Sequence, residues 1–414
     1  MKLDKTESAV LEGLREIPVI DAHEHLRPER KRISVRVDFF LLFSTYLKAD
    51  LLSAGMAPET FERLANDQDM DLQEKWKAFR PFYPLVKYGS YARPGRIWLR
   101  EVLGHDDLTE QNYKEVSAQL QEWNKTGLYD RVLREMCHIG AALVANELWR
   151  DYDFGLLKPL WRLMNYTSDA SYGKFREGAG EKAHGGLDAY LDWMEEDFQQ
   201  YVKAGKGGVG VKIYLFPFET PDTRKADGIF RSIPTAGKSN PMSSADQRTL
   251  SSVICDRALE LAQKHHLTAA VHSGVWGDFR DSQPTHLIPL AMRYPGVSFD
   301  LFHLGAPYVR EAVMVGKMFP NVSLNLCWTT LLSPELTVRM LDECVDLVPM
   351  NNIIVFGGDY GLAVEKVYGH LKMTKEVVAK VLATRIRREE MDLDEALSVA
   401  RMWFHDNAVR IYHL

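Results

Sequence analysis

Residues 267–274 read LTAAVHSG, a short apolar run that closes on a histidine, a serine and a glycine. Short apolar runs rich in β-branched residues and bounded by turn formers read as buried strands. The same form recurs on both sides of it: 209–215 is VGVKIYL, 297–305 is VSFDLFHLG, 322–329 is VSLNLCWT and 353–361 is IIVFGGDYG. Towards the N-terminus, 17–26 (IPVIDAHEHL) repeats it, and 141–146 and 157–166 are less regular versions. Helical stretches lie between the regular runs, at 245–265, 285–294, 307–319 and 334–347. Strands that alternate with helices imply a parallel sheet covered by helices. Eight candidate strands predict an α/β fold of the TIM (β/α)8 barrel type. An open doubly wound sheet would also alternate, but no glycine-rich dinucleotide turn follows the first strand.

The pattern changes between 27 and 139. This stretch is mainly helical and carries Phe39, Phe40, Tyr46, Trp76, Phe82, Tyr83, Tyr88 and Trp98. A connection of this size needs structure of its own. We read 1–414 as one barrel domain, with 27–139 a helical insertion over its mouth. The insertion's aromatics are expected to form a small core of their own rather than a substrate cage. Residues 217–244, rich in Pro, Gly, Ser and Asp, read either as a lid or as a plain surface loop.

The balance of 46% hydrophobic and 26% charged residues over 414 positions is that of a globular protein. A formal charge of −6 argues against nucleic acid or an anionic membrane as partner. Cys137, Cys255, Cys327 and Cys344 are scattered and form no CxxC pair, which fits a reducing, cytoplasmic setting. Residues 1–10 (MKLDKTESAV) lack the apolar core of a signal peptide. No apolar run approaches the roughly 20 residues of a membrane span. A small-molecule substrate is the expected partner, and homo-oligomerisation is left open.

His23 and His25 sit two apart on the first strand, so alternation puts both imidazoles on one face and Ala22 and Glu24 on the other. A divalent metal satisfies two adjacent ring nitrogens, although HxH alone is a weak motif. The other strand ends add weight. His272 and His303 each stand two residues before a glycine, and Asp359 directly after one, where a strand run stops. Ligands at the ends of several barrel strands converge above the axis. A single buried histidine is more often a hydrogen-bonded core residue; four with a carboxylate, all at strand ends, favour a site.

HxH, then HSG, FHLG and FGGD together resemble the amidohydrolase superfamily. The likeness is strongest to its amidohydrolase-related branch of metal-dependent hydrolases and aminocarboxymuconate-semialdehyde-type decarboxylases. RYPGVSF (293–299), FPNVSLNL (319–326) and the closing HDNAVRIYHL (405–414) strengthen the likeness, and the opening IPVIDAHEHLRPE also resembles uronate isomerases. The resemblance implies a divalent ion, one Zn2+ or alternatively Mn2+, held by His23, His25, His272 and Asp359. It implies that Asp359 also acts as base and that His303 polarises substrate or shuttles protons. Lys212 falls where binuclear relatives carry a carboxylated lysine bridging two ions. A second ion follows if Lys212 is carboxylated; the alternatives are a substrate contact by the unmodified cation or an ion pair with a nearby acid. Tyr214, Trp276, Arg280 and Trp328 are further substrate-binding candidates, and an exposed salt bridge is the commoner fate for Arg280. The function this implies is a metal-dependent hydrolase in which metal-activated water attacks an amide, ester or lactone. The alternatives are a non-oxidative decarboxylase of a small carboxylic acid and, behind it, a sugar-acid isomerase like the uronate isomerases.

Overall fold

The computed structural model describes residues 4–146, 148–178, 185–233 and 242–414. They form two compact units, each assembled from separate stretches of chain. The first comprises Met1–Ala142, Cys327–Glu343 and Val355–His405; the second comprises Leu143–Leu326, Cys344–Ile354 and Asp406–Leu414. The described strands are β1 (Val19–Glu24), β2 (Ile139–Val144), β3 (Leu157–Pro159), β4 (Trp161–Arg162), β5 (Gly210–Tyr214), β6 (Thr268–His272), β7 (Phe299–Leu301), β8 (Val322–Asn325) and β9 (Ile353–Ile354). One ladder runs β1-β2-β3 and the other β4-β5-β6-β7-β8-β9.

In the second unit every described pairing from β4 to β9 is parallel. The residues explain the strands. Val211, Ile213, Ala269, Val271, Phe299, Leu301 and Leu324 are buried and mostly β-branched, aliphatic or aromatic, which suits a sheet covered on both faces. Strand β7 stops at Leu301 although the apolar run continues to Gly305, because His303 and Leu304 adopt φ of 61° and 44°. A left-handed pair cannot continue a ladder. The run 157–166 is broken into β3 and β4 around Leu160. Helices Ser244–Lys264, Ile288–Arg293, Val309–Met318 and Pro334–Leu347 fall where the alternation predicts them. Within 217–244 the described part contains helix Thr223–Ser232; residues 234–241 lie outside the described residues, so the lid-or-loop reading there is not decided.

In the first unit the connection between β1 and β2 is helical, as expected, with helices including Pro58–Asn66, Leu72–Phe79, Arg93–Glu101 and Tyr113–Trp123. Its aromatics do make an internal core. The Phe39 ring meets Trp76, Phe79 and Tyr113 at centroid distances of 5.8, 5.9 and 6.0 Å, and Phe43 meets Tyr83 at 5.0 Å. Tyr88 is the exception on the outside, 73% exposed. Tyr46 leaves this core altogether, as described below.

Helix Glu365–Arg387 packs on Arg93–Glu101, so closely that a Cβ on Gly369 would lie 2.4 Å from the Pro94 carbonyl oxygen. Beside it Arg32 is fully buried. Its guanidinium donates to the Leu362 carbonyl at 2.6 Å, to Glu365 Oε1 at 2.6 Å and to the Asn124 side chain. No helix among the described residues is long and apolar enough to cross a membrane.

Two expectations follow. Arg32→Ala strands the Glu365 carboxylate in the interior and destabilises the protein by about 3–5 kcal/mol, read by urea unfolding, whereas Arg32→Met with Glu365→Gln recovers most of the loss. Burial of His370 on the same helix pushes its pKa down to about 3 from 6.5. The unfolded chain therefore binds the extra proton between those values, and stability falls as pH drops through that window. About 1.5–2 kcal/mol of His370's contribution should go between pH 6.5 and pH 5. His370→Gln should lose that part of the slope, and an unchanged slope would refute the assignment.

Candidate metal centre

Strand β1 is buried along its whole length. Its flanks are apolar, yet it carries Asp21, His23 and Glu24, with His25 just past its end. Four polar side chains in a buried run need partners. They find them in the segment 356–360 of the same unit.

That segment runs beside β1 through backbone bonds from Ala22 N to Phe356 O at 3.1 Å and from Asp359 N to His23 O at 2.9 Å. Asp359 itself has φ of 62°. The left-handed turn swings its carboxylate back over the strand, at a cost of the order of 1 kcal/mol or more for a non-glycine residue. There Oδ1 lies 3.3 Å from His23 Nε2 and 3.4 Å from His25 Nε2. The two imidazoles are 4.9 Å apart and nearly perpendicular. His23 is 1% exposed and His25 29%, so the cluster is closed on one side and open on the other.

The three donors fit a divalent ion. Ligand atoms each about 2.0–2.1 Å from a tetrahedral ion lie roughly 3.3 Å apart, which is the separation of Asp359 Oδ1 from both nitrogens. All three ligand atoms lie within 4.8 Å of one another. Two imidazoles and a carboxylate suit zinc, manganese or iron and leave coordination positions open.

Around this cluster stand residues with no role in the sequence reading. The Gly358 amide donates to Asp21 Oδ1 at 3.0 Å and the Tyr360 amide to Glu24 Oε2 at 2.6 Å. The two carboxyl groups lie side by side on the same buried strand. Burial pushes Asp21 up to about 7, and burial followed by the Asp21 charge raises Glu24 well above the usual carboxylate range. A Cβ on Gly358 would meet Glu24 Oε1 at 2.0 Å, so glycine is required there. From the insertion, Tyr46 donates its hydroxyl to the Asp359 carbonyl. Its ring stacks on Tyr91 at 5.7 Å and approaches Trp328 at 5.8 Å. Burial, then the nearby Asp359, raises the Tyr46 phenol, which stays protonated. A readable signal existed for Asp21 and Glu24, two carboxylates in a buried strand. None existed for Tyr46 and Tyr91.

His272, expected as a fourth ligand, and His303 lie in the second unit and pair with each other, His303 Nε2 to His272 Nδ1 at 3.0 Å. His272 Nε2 lies 2.9 Å from the Val275 carbonyl, and Tyr214 stacks on the ring at 4.5 Å. His272 is not in the three-residue cluster. Lys212 is fully buried, with Nζ 3.8 Å from the centre of the Phe302 ring, and its charge acts on Asp300. Asp300 accepts from Asn325 at 2.8 Å and from Tyr412 at 2.7 Å; burial still raises it to about 6. Of the further candidates, Arg280 is exposed and paired with Asp278, Trp276 is half-exposed on the loop after β6, and Trp328 lies buried in the first unit.

A parallel α/β fold carrying a histidine–histidine–aspartate donor set defines a metal-dependent enzyme class. The model of the amidohydrolase family (Amidohydro_2) matches residues 168–414, more than half the chain, and the protein belongs to that family. Protein fluG of Emericella nidulans is 25% identical over 209 residues, which are 48% of this chain and only 24% of that protein. A uronate isomerase from Thermotoga maritima superposes with a TM-score of 0.79 at 15% identity, over 99% of this chain and 98% of that one. A glucuronate isomerase from Caulobacter crescentus gives 0.79 at 17%, over 100% and 95%. A protein of Lactobacillus casei described as a metal-dependent hydrolase gives 0.65 at 16%, over 98% and 97%. These likenesses show the fold, the (β/α)8-barrel class with a helical insertion after β1.

Purified protein should bind a divalent ion that His23→Ala or Asp359→Ala removes. Affinity should fall at acid pH, because a protonated imidazole is no ligand. Metal analysis after dialysis at pH 7.5 and pH 5.5 checks both.

Proposed function

We propose that this protein is a metal-dependent hydrolase of a small polar molecule, an amide, ester or lactone. The reading rests on one observation above the rest: the Asp359 Oδ1 faces both imidazoles, at 3.3 and 3.4 Å from their Nε2 atoms. A carboxylate so placed is fitted to be both ligand and proton acceptor. His23, His25 and Asp359 would hold one ion, zinc or manganese. Such an ion supplies Lewis-acid polarisation and acidifies water near neutral pH. Asp359 accepts the proton lost from the attacking water and returns it to the leaving group. The Tyr46 hydroxyl, fixed on the Asp359 carbonyl, keeps that residue's peptide from rotating. We read Lys212 as an unmodified cation beside Asp300 and Phe302, a reading supported by its approach to the Phe302 ring and one that goes with a single ion.

A second reading has a specific observation in its favour. The two isomerases named above match the whole chain, helical insertion included, with 98% and 95% of their own length covered. Isomerisation of a sugar acid needs the same metal and a base that moves a proton between adjacent carbons. Decarboxylation of a small acid is the third reading.

The readings part on the fate of solvent atoms. Hydrolysis places 18O from labelled water in a product carboxylate; isomerisation of D-glucuronate in D2O places deuterium on carbon; decarboxylation releases CO2. A panel of lactones, amides and uronates run in labelled water decides between them, and deuterium without 18O overturns the hydrolase reading. Under any of the three, Asp359→Asn should lower kcat by about 10²–10⁴-fold, and near wild-type turnover in that variant would remove Asp359 as base.

A further inference from the structure

The geometry points to Asp21 and Glu24 as positioning residues that set the Asp359 carboxylate against the two imidazoles; this rests on the metal-site reading above. Three successive amides, those of Gly358, Asp359 and Tyr360, all donate to β1. The middle one takes the His23 carbonyl at 2.9 Å, as a ladder would. The outer two do not reach a strand carbonyl, and the chain turns left-handed at Asp359, with φ of 62°. They are taken instead by side chains: Gly358 by Asp21 Oδ1 at 3.0 Å and Tyr360 by Glu24 Oε2 at 2.6 Å.

The alternative for those amides is burial without a partner. Gly358, Tyr360, Asp21 and Glu24 are all buried, Asp21 and Glu24 completely. An unpaired buried amide carries a desolvation penalty comparable to the strain of the turn itself, so losing either carboxyl tips the segment towards a relaxed backbone. The carbonyls on the same peptides are also tied down, Tyr360 O by the His25 amide at 3.1 Å and Asp359 O by the Tyr46 hydroxyl. With both flanks fixed, the direction of the Asp359 Cα–Cβ bond is fixed as well. The strand that supplies two ligands thus also aims the third, through the two carboxyl side chains that do not touch the ion. Outer partners of this kind commonly set metal affinity by 10–100-fold.

The test measures the dissociation constant for Zn2+ and Mn2+ by chelator competition, together with the thermal midpoint of the metal-free protein. Glu24→Ala should weaken metal binding about 10–100-fold. Glu24→Gln, which keeps an acceptor for the Tyr360 amide, should stay within about 3-fold of wild type, and Asp21→Asn likewise. A merely structural role would lower the metal-free midpoint in both Glu24 variants and leave their metal affinities equal. That result, or wild-type affinity in Glu24→Ala, overturns the inference. If Glu24→Ala does not fold, Asp21→Ala against Asp21→Asn makes the same comparison at the Gly358 amide. Absence of metal binding in the wild-type protein would instead remove the metal-site reading, and this inference with it.

Discussion

Three consecutive peptide groups at 358–360 turn against β1 and give it all their hydrogens, and the rest of the first unit is arranged around that contact. It requires a glycine at 358, because any side chain would enter the Glu24 carboxyl. It requires carboxyl groups on a buried strand, and burial raises the pKa of both. It requires a left-handed residue at 359, and it puts a functional group on that strained residue, where strain is often found. The helical connection after β1 joins in through Tyr46, whose hydroxyl reaches the Asp359 carbonyl. What looked from its composition like a self-contained aromatic cluster is that and more: Phe39, Phe40, Phe43 and Phe79 pack together, while Tyr46 and Tyr91 face the donor cluster.

The regular runs were legible because burial on both faces leaves no room for polar residues, so β5 to β8 stand out as apolar stretches. The ends of those runs were less legible. FHLG reads as the tail of a strand, but His303 and Leu304 take left-handed dihedrals and leave the sheet two residues early. FGGD carries the same hidden turn at Asp359. Nothing in side-chain polarity records the sign of φ, and histidine, leucine and aspartate are not glycine. The pair His23 and His25 and the carboxylate Asp359 could be picked out because two imidazoles and an acid at strand ends have few other uses. Asp21 and Glu24 sat in the same ten residues and carried no role in that reading, because alternation sorts side chains by face and does not say what a face meets.

The second unit shows how a motif can be right about residue type and leave the geometry open. His272 and His303 do come together, at 3.0 Å, through the register that sets Tyr214 beside His272 at the ends of β5 and β6. Lys212 lies two residues before Tyr214 on the same strand face, and it is enclosed with Asp300, Asn325 and Tyr412 in a network of buried polar groups. The Lys212 Nζ lies 3.8 Å from the centre of the Phe302 ring and its charge acts on Asp300. Arg280, offered by the sequence as a carboxylate receptor, has found its carboxylate two residues away in Asp278.

The first unit is discontinuous, and this has a consequence for how the chain is made. Residues 1–142 leave the ribosome well before 327–343 and 355–405, with 184 residues of the second unit, 143–326, in between. At about 5–20 residues per second, that interval is roughly 10–40 s. During it β1 has no partner for Asp21 or Glu24, and its two imidazoles have no third ligand. The early segment must therefore wait in a hydrated, unfinished state, open to chaperones and to stray metal. Capture of an ion by all three residues is possible only once Asp359 has emerged, so a filled site in the cell marks a chain made at least as far as the third stretch of this unit.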